Sequence, residues 1–96
     1  MSKGYFVCVY REIRDPAKLA AYAKLGGPIA AAAGGRFLIR GVAEKAYEAG
    51  AVERTVIIEF ESVERAIAWY EGPAYQAALA VLGDGALRDV RIVPGL

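Results

Sequence analysis

Four short apolar-rich stretches of the chain, bounded by polar and turn residues, read as strands, and two of the segments between them carry helix starts and stops. Tyr5 to Arg11, YFVCVYR, is aromatic and β-branched and predicts a first strand. Asp15-Pro16 follows; aspartate suits a helix N-cap and proline the first helical position, so a helix begins at Pro16. Leu19, Tyr22, Ala23 and Gly26 recur at helical spacing, and Gly26-Gly27-Pro28 then predicts an interruption. Pro28 restarts a helical turn, and Gly34-Gly35 ends it as a left-handed C-terminal cap. Arg36 to Val42, RFLIRGV, predicts a second strand, and residues 43 to 54 read as a polar, irregular connection. Thr55 to Glu61, TVIIEFE, predicts a third strand. Ser62 caps a second helix with Glu64 in its first turn. Gly72-Pro73 breaks it, and a further helical segment opens at Pro73 and runs to about Leu82. Asp89 to Val93, DVRIV, predicts the last strand.

The order is βαββαβ, which predicts an α+β, ferredoxin-like domain over residues 1 to 96, with two helices on one face of a four-stranded antiparallel sheet. Strand alternation places Phe6, Cys8, Tyr10, Phe37, Ile39, Val56, Ile58 and Phe60 on the face the helices cover. The other face carries Tyr5, Val7, Val9, Arg11, Arg36, Leu38, Arg40, Ile57, Glu59 and Glu61. Its centre is apolar, and two helices cover only one side of a sheet. A twofold homodimer, sheet packed on sheet as a dimeric α+β barrel, is the economical cover for it.

Composition narrows the chemistry. The chain has 96 residues, a net charge of +1 and scattered lysines and arginines, so it lacks the basic stripe of a nucleic-acid-binding protein. Its longest apolar-rich stretch, Pro28 to Gly35, falls short of the roughly 20 residues a membrane span needs. The N-terminus reads as a strand and not as a signal peptide, because no small-residue cleavage site follows its apolar run. One cysteine rules out an intrachain disulfide and suits a reducing cytoplasm. Histidine is absent, which removes Ser-His-Asp and Cys-His nucleophile systems together with the usual zinc and haem ligand. No metal and no cofactor is expected.

The stretches GGRFLIRG (34 to 41), Glu48 with a glycine two residues on, VIIEFES (56 to 62), AIAWYEGPAYQAA (66 to 78) and VPG (93 to 95) resemble one family of small bacterial proteins. It is the domain of unknown function 1330 family, within the dimeric α+β barrel superfamily. The resemblance covers nearly the whole chain and implies the same βαββαβ fold and sheet-to-sheet dimer. It supplies no established activity. The wider superfamily includes cofactor-independent monooxygenases, lactone isomerases and haem-degrading enzymes, so the scaffold hosts chemistry without dictating it. This chain departs from the family at two places. Gly72 stands where serine is common, and Leu82 where arginine is common.

Among candidate site residues, Arg40 and Glu59 stand out as charges inside apolar strands, which is costly unless they pair or meet water. Their structural role is a mutual or cross-dimer salt bridge. Their functional role is an arginine anchoring a carboxylate or enolate, with Glu59 as proton acceptor. Trp69 and Tyr75 either fill the gap beside the Gly72-Pro73 bend or wall a ligand pocket between helix and sheet. Tyr22 belongs to the core, with a hydroxyl able to reach such a pocket, and Cys8 reads as a buried structural thiol. Two functions follow. One is a small homodimer that binds a small organic molecule between sheet and helices. The alternative is a cofactor-independent enzyme, monooxygenase- or isomerase-like, acting on a small acidic or enolisable molecule through Arg40, Glu59 and Tyr22 or Tyr75.

Overall fold

The computed structural model describes residues 2–96. In chain order its elements are β1 (Gly4–Ile13), α1 (Pro16–Ala32), β2 (Arg36–Val42), β3 (Arg54–Phe60), α2 (Val63–Glu71), α3 (Pro73–Leu82) and β4 (Ala86–Pro94). They build one four-stranded sheet ordered β2-β3-β1-β4, antiparallel throughout. Each βαβ half leaves a gap that a strand of the other half fills, which is the ferredoxin-like arrangement.

β1 and β3 lie at the centre and alternate as expected. Phe6, Cys8, Tyr10, Val56, Ile58 and Phe60 are buried, and the residues between them are half-buried. Tyr22 and Ala30 of α1, Ala66 and Trp69 of α2, and Tyr75, Ala78 and Leu82 of α3 complete the core on that face. A buried aromatic or large aliphatic side chain of this kind contributes about 1.5–3 kcal/mol each relative to exposure. Edge strand β2 gives the core only partly buried Phe37, so the helices leave that side of the sheet thinly covered.

α1 begins as read. The Asp15 side chain accepts from the backbone N–H of Ala17 and Lys18, both at 3.1 Å. The interruption at Gly26-Gly27-Pro28 does not occur; α1 runs unbroken through Pro28. Pro28 and Lys24 are both exposed, so the Lys24 carbonyl that loses its proline-side donor sits where water reaches it. Packing of Tyr22 below and Ala30 above the proline then holds the helix together. The helix closes on Gly34 in the left-handed region (φ 84), with the Gly35 N–H donating to Ala30 O at 2.8 Å and the Gly34 N–H to Ala31 O at 3.0 Å.

Ser62 caps α2, its hydroxyl accepting from the Arg65 N–H at 3.1 Å. The expected break at Gly72-Pro73 divides α2 from α3, because Gly72 is extended (φ −71, ψ 157) and Pro73 has no N–H to continue the ladder. Both remaining strands depart from simple alternation. β4 starts at Ala86, three residues before the expected Asp89, and β1 bulges between Tyr10 and Glu12 where the two pair. β2 pairs Phe37 with Ile58 but Ile39 with Ile57, so Leu38 is an extra residue in the ladder. One extra residue inverts every side chain after it. Ile39 therefore joins the outer face, 47% exposed, and Arg40 turns to the helix-facing side opposite Val56. Both had been expected on the opposite faces. Among the described residues no helix is long and apolar enough to cross a membrane.

Candidate functional site

The bulge in β2 and the early start of β4 assemble a site that strict alternation would not. Arg40 comes to the helix-facing side of β2. Arg54 opens β3 two residues before Val56, which pairs with Cys8. Arg88 lies on β4 opposite Tyr10. All three border one cavity between the sheet and α1, whose walls are the aromatic and aliphatic side chains of Phe6, Tyr10, Tyr22, Phe37, Ile58, Trp69 and Tyr75. Its clear space is about 40 Å³, within an envelope of about 410 Å³ that includes its open mouth. Gly26 and Gly27 of α1 form part of the roof, and a Cβ at Gly27 would meet nothing within 4 Å.

Among the described residues no aspartate or glutamate borders this cavity. Among the described residues, none of Arg40, Arg54 and Arg88 has a carboxylate within salt-bridge distance. Their neighbours are π-faces and hydroxyls instead. The Arg40 guanidinium sits 4.5 Å above the Phe37 ring, and those of Arg54 and Arg88 sit 5.8 and 5.5 Å from the Tyr10 ring. Arg88 donates to the hydroxyls of Tyr22 at 3.1 Å, Tyr75 at 3.3 Å and, more weakly, Tyr10 at 3.5 Å. The Tyr22 and Tyr75 hydroxyls are hydrogen-bonded to each other at 2.6 Å. Burial, and then the Tyr22 neighbour, pushes the Tyr75 hydroxyl well above the ordinary tyrosine range, so it stays protonated. Burial likewise raises the Cys8 thiol against the pull of Arg88, which leaves a fully buried, unreactive neutral sulfur.

The opposite end of the cavity is apolar. Trp69 packs its ring 5.0 Å from Phe6, 4.8 Å from Phe60 and 4.4 Å from Tyr75. The indole is 7% exposed, and its Nε1–H is buried without a protein acceptor. The buried Arg54 Nε–H has no acceptor either. Buried donors of this kind normally find partners. The cavity thus has a positively charged end, an aromatic end and spare donors, an arrangement suited to holding an anion.

Of the residues singled out from the sequence, Arg40, Tyr22, Trp69 and Tyr75 meet at this cavity. Glu59 does not. It lies on the outer face, where it accepts a 2.9 Å hydrogen bond from the Tyr5 hydroxyl. Arg40 and Glu59 are thus on opposite sides of the sheet, and the intrachain ion pair expected between them does not form. Sequence reasoning missed Arg54, which was assigned to the preceding connection, and Arg88, which was left outside the last strand. A signal for Arg88 existed. Extending alternation backward from Ile92 and Val90 puts an arginine on the apolar face.

The outer face carries a wider depression of about 300 Å³ along Val7, Val9, Arg11, Asp89 and Arg91, bounded by residues 49 to 51 of the β2–β3 connection. Its charges compensate one another, with Arg11 3.6 Å and Arg91 3.1 Å from Asp89. Around it Leu38, Ile39 and Val93 stay exposed, and Val7, Val9 and Ile57 are half-buried.

A family profile described as Domain of unknown function (DUF1330) matches residues 3–96. No curated protein matches the chain. Solved structures share its fold. One is a protein of unknown function from Rhodopseudomonas palustris (19% identity, TM-score 0.69, covering 98% of this chain and 81% of that one). Another is a dimeric ferredoxin-like protein of unknown function from Thermobifida fusca (17%, 0.67, covering 98% and 92%). A third is SnoaB, a cofactor-independent oxygenase from Streptomyces nogalater (11%, 0.65, covering 100% and 95%). At these identities the likeness is one of fold.

Proposed function

The chain belongs to the DUF1330 family, and from that premise we propose that it is a small homodimer binding a small organic molecule in the cavity between sheet and helices. The observation that carries this reading is the convergence of Arg40, Arg54 and Arg88 on one aromatic-walled cavity that no carboxylate borders. Pockets with apolar walls and a few convergent polar groups are the usual form of a ligand site. The homodimer reading rests on the outer face, where Leu38, Ile39 and Val93 are exposed around Val7, Val9 and Ile57, and on the dimeric state of the Thermobifida fusca protein. The lone buried thiol of Cys8 fits a reducing cytoplasm. Calorimetric titration with a metabolite library tests the first reading, which fails if no compound binds and no melting temperature moves. Light scattering tests the second, and a stable monomer at micromolar concentration overturns it.

A second reading is favoured by the Tyr22–Tyr75 pair. Two hydroxyls 2.6 Å apart beside Arg88 form a relay: the Tyr22 oxygen takes the α-C–H proton of a bound enolisable acid as its own proton passes to Tyr75, Tyr75 gives its proton to the forming enol oxygen, and the Arg88 guanidinium stabilises the charge developing there. The fold is shared with a cofactor-independent oxygenase. In this reading Glu59, on the far face, does not act as the base. Deuterium incorporation from solvent into a bound acid, lost in Tyr22→Phe, is the expected result; binding without exchange or oxygen uptake leaves the binding role alone.

A further inference from the structure

We infer that the ligand is an amphipathic carboxylic acid, its carboxylate seated between Arg40 and Arg54 and its apolar body directed along the cavity toward Phe6 and Trp69. This rests on the small-molecule reading above and adds the chemical class and the orientation.

The inference comes from how the cavity divides. Arg54 and Arg88 stand over the Tyr10 ring at one end of the helix-facing side, and Arg40 lies opposite Val56, the neighbour of Cys8 in the ladder. Phe6, Phe60 and Trp69 pack together at the other end. Among the described residues the three guanidiniums at this cavity have no counter-charge and repel one another, and the partial burial of Arg54 and Arg88 raises the effect of theirs. An anion removes that repulsion. A carboxylate also matches the planar guanidinium fork, and the unpartnered Arg54 Nε–H is a donor already withdrawn from water. Arg88 is committed to three tyrosine hydroxyls, which leaves Arg40 and Arg54 as the free pair.

Two features set the rest of the ligand. The clear space of about 40 Å³ takes a compact group, and the open side of the cavity lets a body extend beyond it. The walls past the arginines are apolar, so a second charge on the ligand would be desolvated without a partner. An inorganic anion would leave those walls unused. The buried Trp69 Nε1–H adds a single neutral donor at the far end, where an oxygen on the body finds a partner.

Isothermal titration of the full chain with butyrate and benzoate, each paired with its neutral amide, and with inorganic phosphate, tests the inference. At least one acid should bind tenfold or more tightly than its amide and than phosphate. Arg40→Gln and Arg54→Gln should each weaken that acid by about tenfold or more, as expected for a charge-assisted hydrogen bond, and weaken its amide less than the acid. Gly27→Leu should weaken binding tenfold or more with the fold intact by circular dichroism, because Gly27 borders the cavity, a side chain there meets open space, and every arginine stays in place. This variant keeps the test decisive if an arginine substitution unfolds the chain. Amides binding as well as acids overturn the inference and leave the small-molecule reading standing. Phosphate binding as well as the acids overturns the amphipathic assignment. Full binding in Gly27→Leu overturns the location. If no compound of the panel binds at millimolar concentration, both the inference and the broader reading lose their support.

Discussion

The two ends of the helix-facing side use the same strands for opposite purposes. At one end Phe6, Phe60 and Trp69 pack ring against ring, with centroids 4.8 and 5.0 Å apart and almost no exposure. At the other end Tyr10 is as deeply buried as Phe6, yet Arg54 and Arg88 stand over its ring and Arg88 ties its hydroxyl to those of Tyr22 and Tyr75. The first end is held by apolar burial, although the Trp69 Nε1–H there lacks a partner. The second gathers positive charge that, among the described residues, no carboxylate neutralises. A core needs only the first; the second costs stability and is what a ligand would use.

The contrast can be broken at its strongest point first. Phe60→Ala should cost about 3–5 kcal/mol in urea unfolding, because it opens a cavity under Trp69 that the neighbouring strands cannot collapse. Tyr75→Phe should cost about 1–2 kcal/mol, since it removes the partner of both Tyr22 and Arg88 while keeping the ring packed on Trp69. The midpoint should move with an unchanged m-value. Arg54→Met should go the other way, gaining up to about 1 kcal/mol, because it replaces an unpartnered buried donor with an apolar side chain of similar length. A loss of 2 kcal/mol or more there would make the arginine end structural and erase the difference between the two ends.

Alkaline titration sharpens the same comparison. The Tyr75 hydroxyl is raised above its ordinary value of 10.0 by burial and by Tyr22, and that of Tyr10 by burial against the pull of Arg88. A group raised on folding contributes stability that is fully present below the unfolded value and lost as pH rises through the folded one. Stability should therefore hold up to about pH 10 and fall above it, and Tyr75→Phe should flatten that fall. Denaturant midpoints measured across this range are the check. The smallest effect belongs to the surface. The carboxyl of Asp84 is lowered from 3.8 by its hydrogen bond to Lys18. Its contribution is present above the unfolded value and lost as pH falls through the folded one, so Asp84→Asn should slightly reduce acid sensitivity and leave neutral-pH stability within error.

Much of the fold was legible because its signals are local. Asp15-Pro16 and Ser62 start helices wherever they stand before an apolar repeat, and Gly34 ends one because a left-handed residue carries little penalty without a Cβ. The candidate site was legible only in part. Trp69, Tyr22 and Tyr75 could be named from their positions, but Arg40 could be seen only as an odd charge in a strand. Its face depends on Leu38, one surplus residue that no glycine or proline announces. Arg54 and Arg88 were hidden because they sit at strand starts, where boundaries depend on the neighbouring strand and not on the residue itself.

What the chain alone determined is its alternation and its punctuation: the βαββαβ order, the buried faces of β1 and β3, and the break at Gly72-Pro73. These follow from steric and hydrophobic preferences that act within a few residues. Only the tertiary structure decided the registers, and with them the inversion that carries Arg40 to the inner face while Glu59 stays on the outer one. Register is a property of two strands at once, fixed by which ladder of hydrogen bonds closes and which side chains fit beneath the helices, and no single stretch of sequence holds that information.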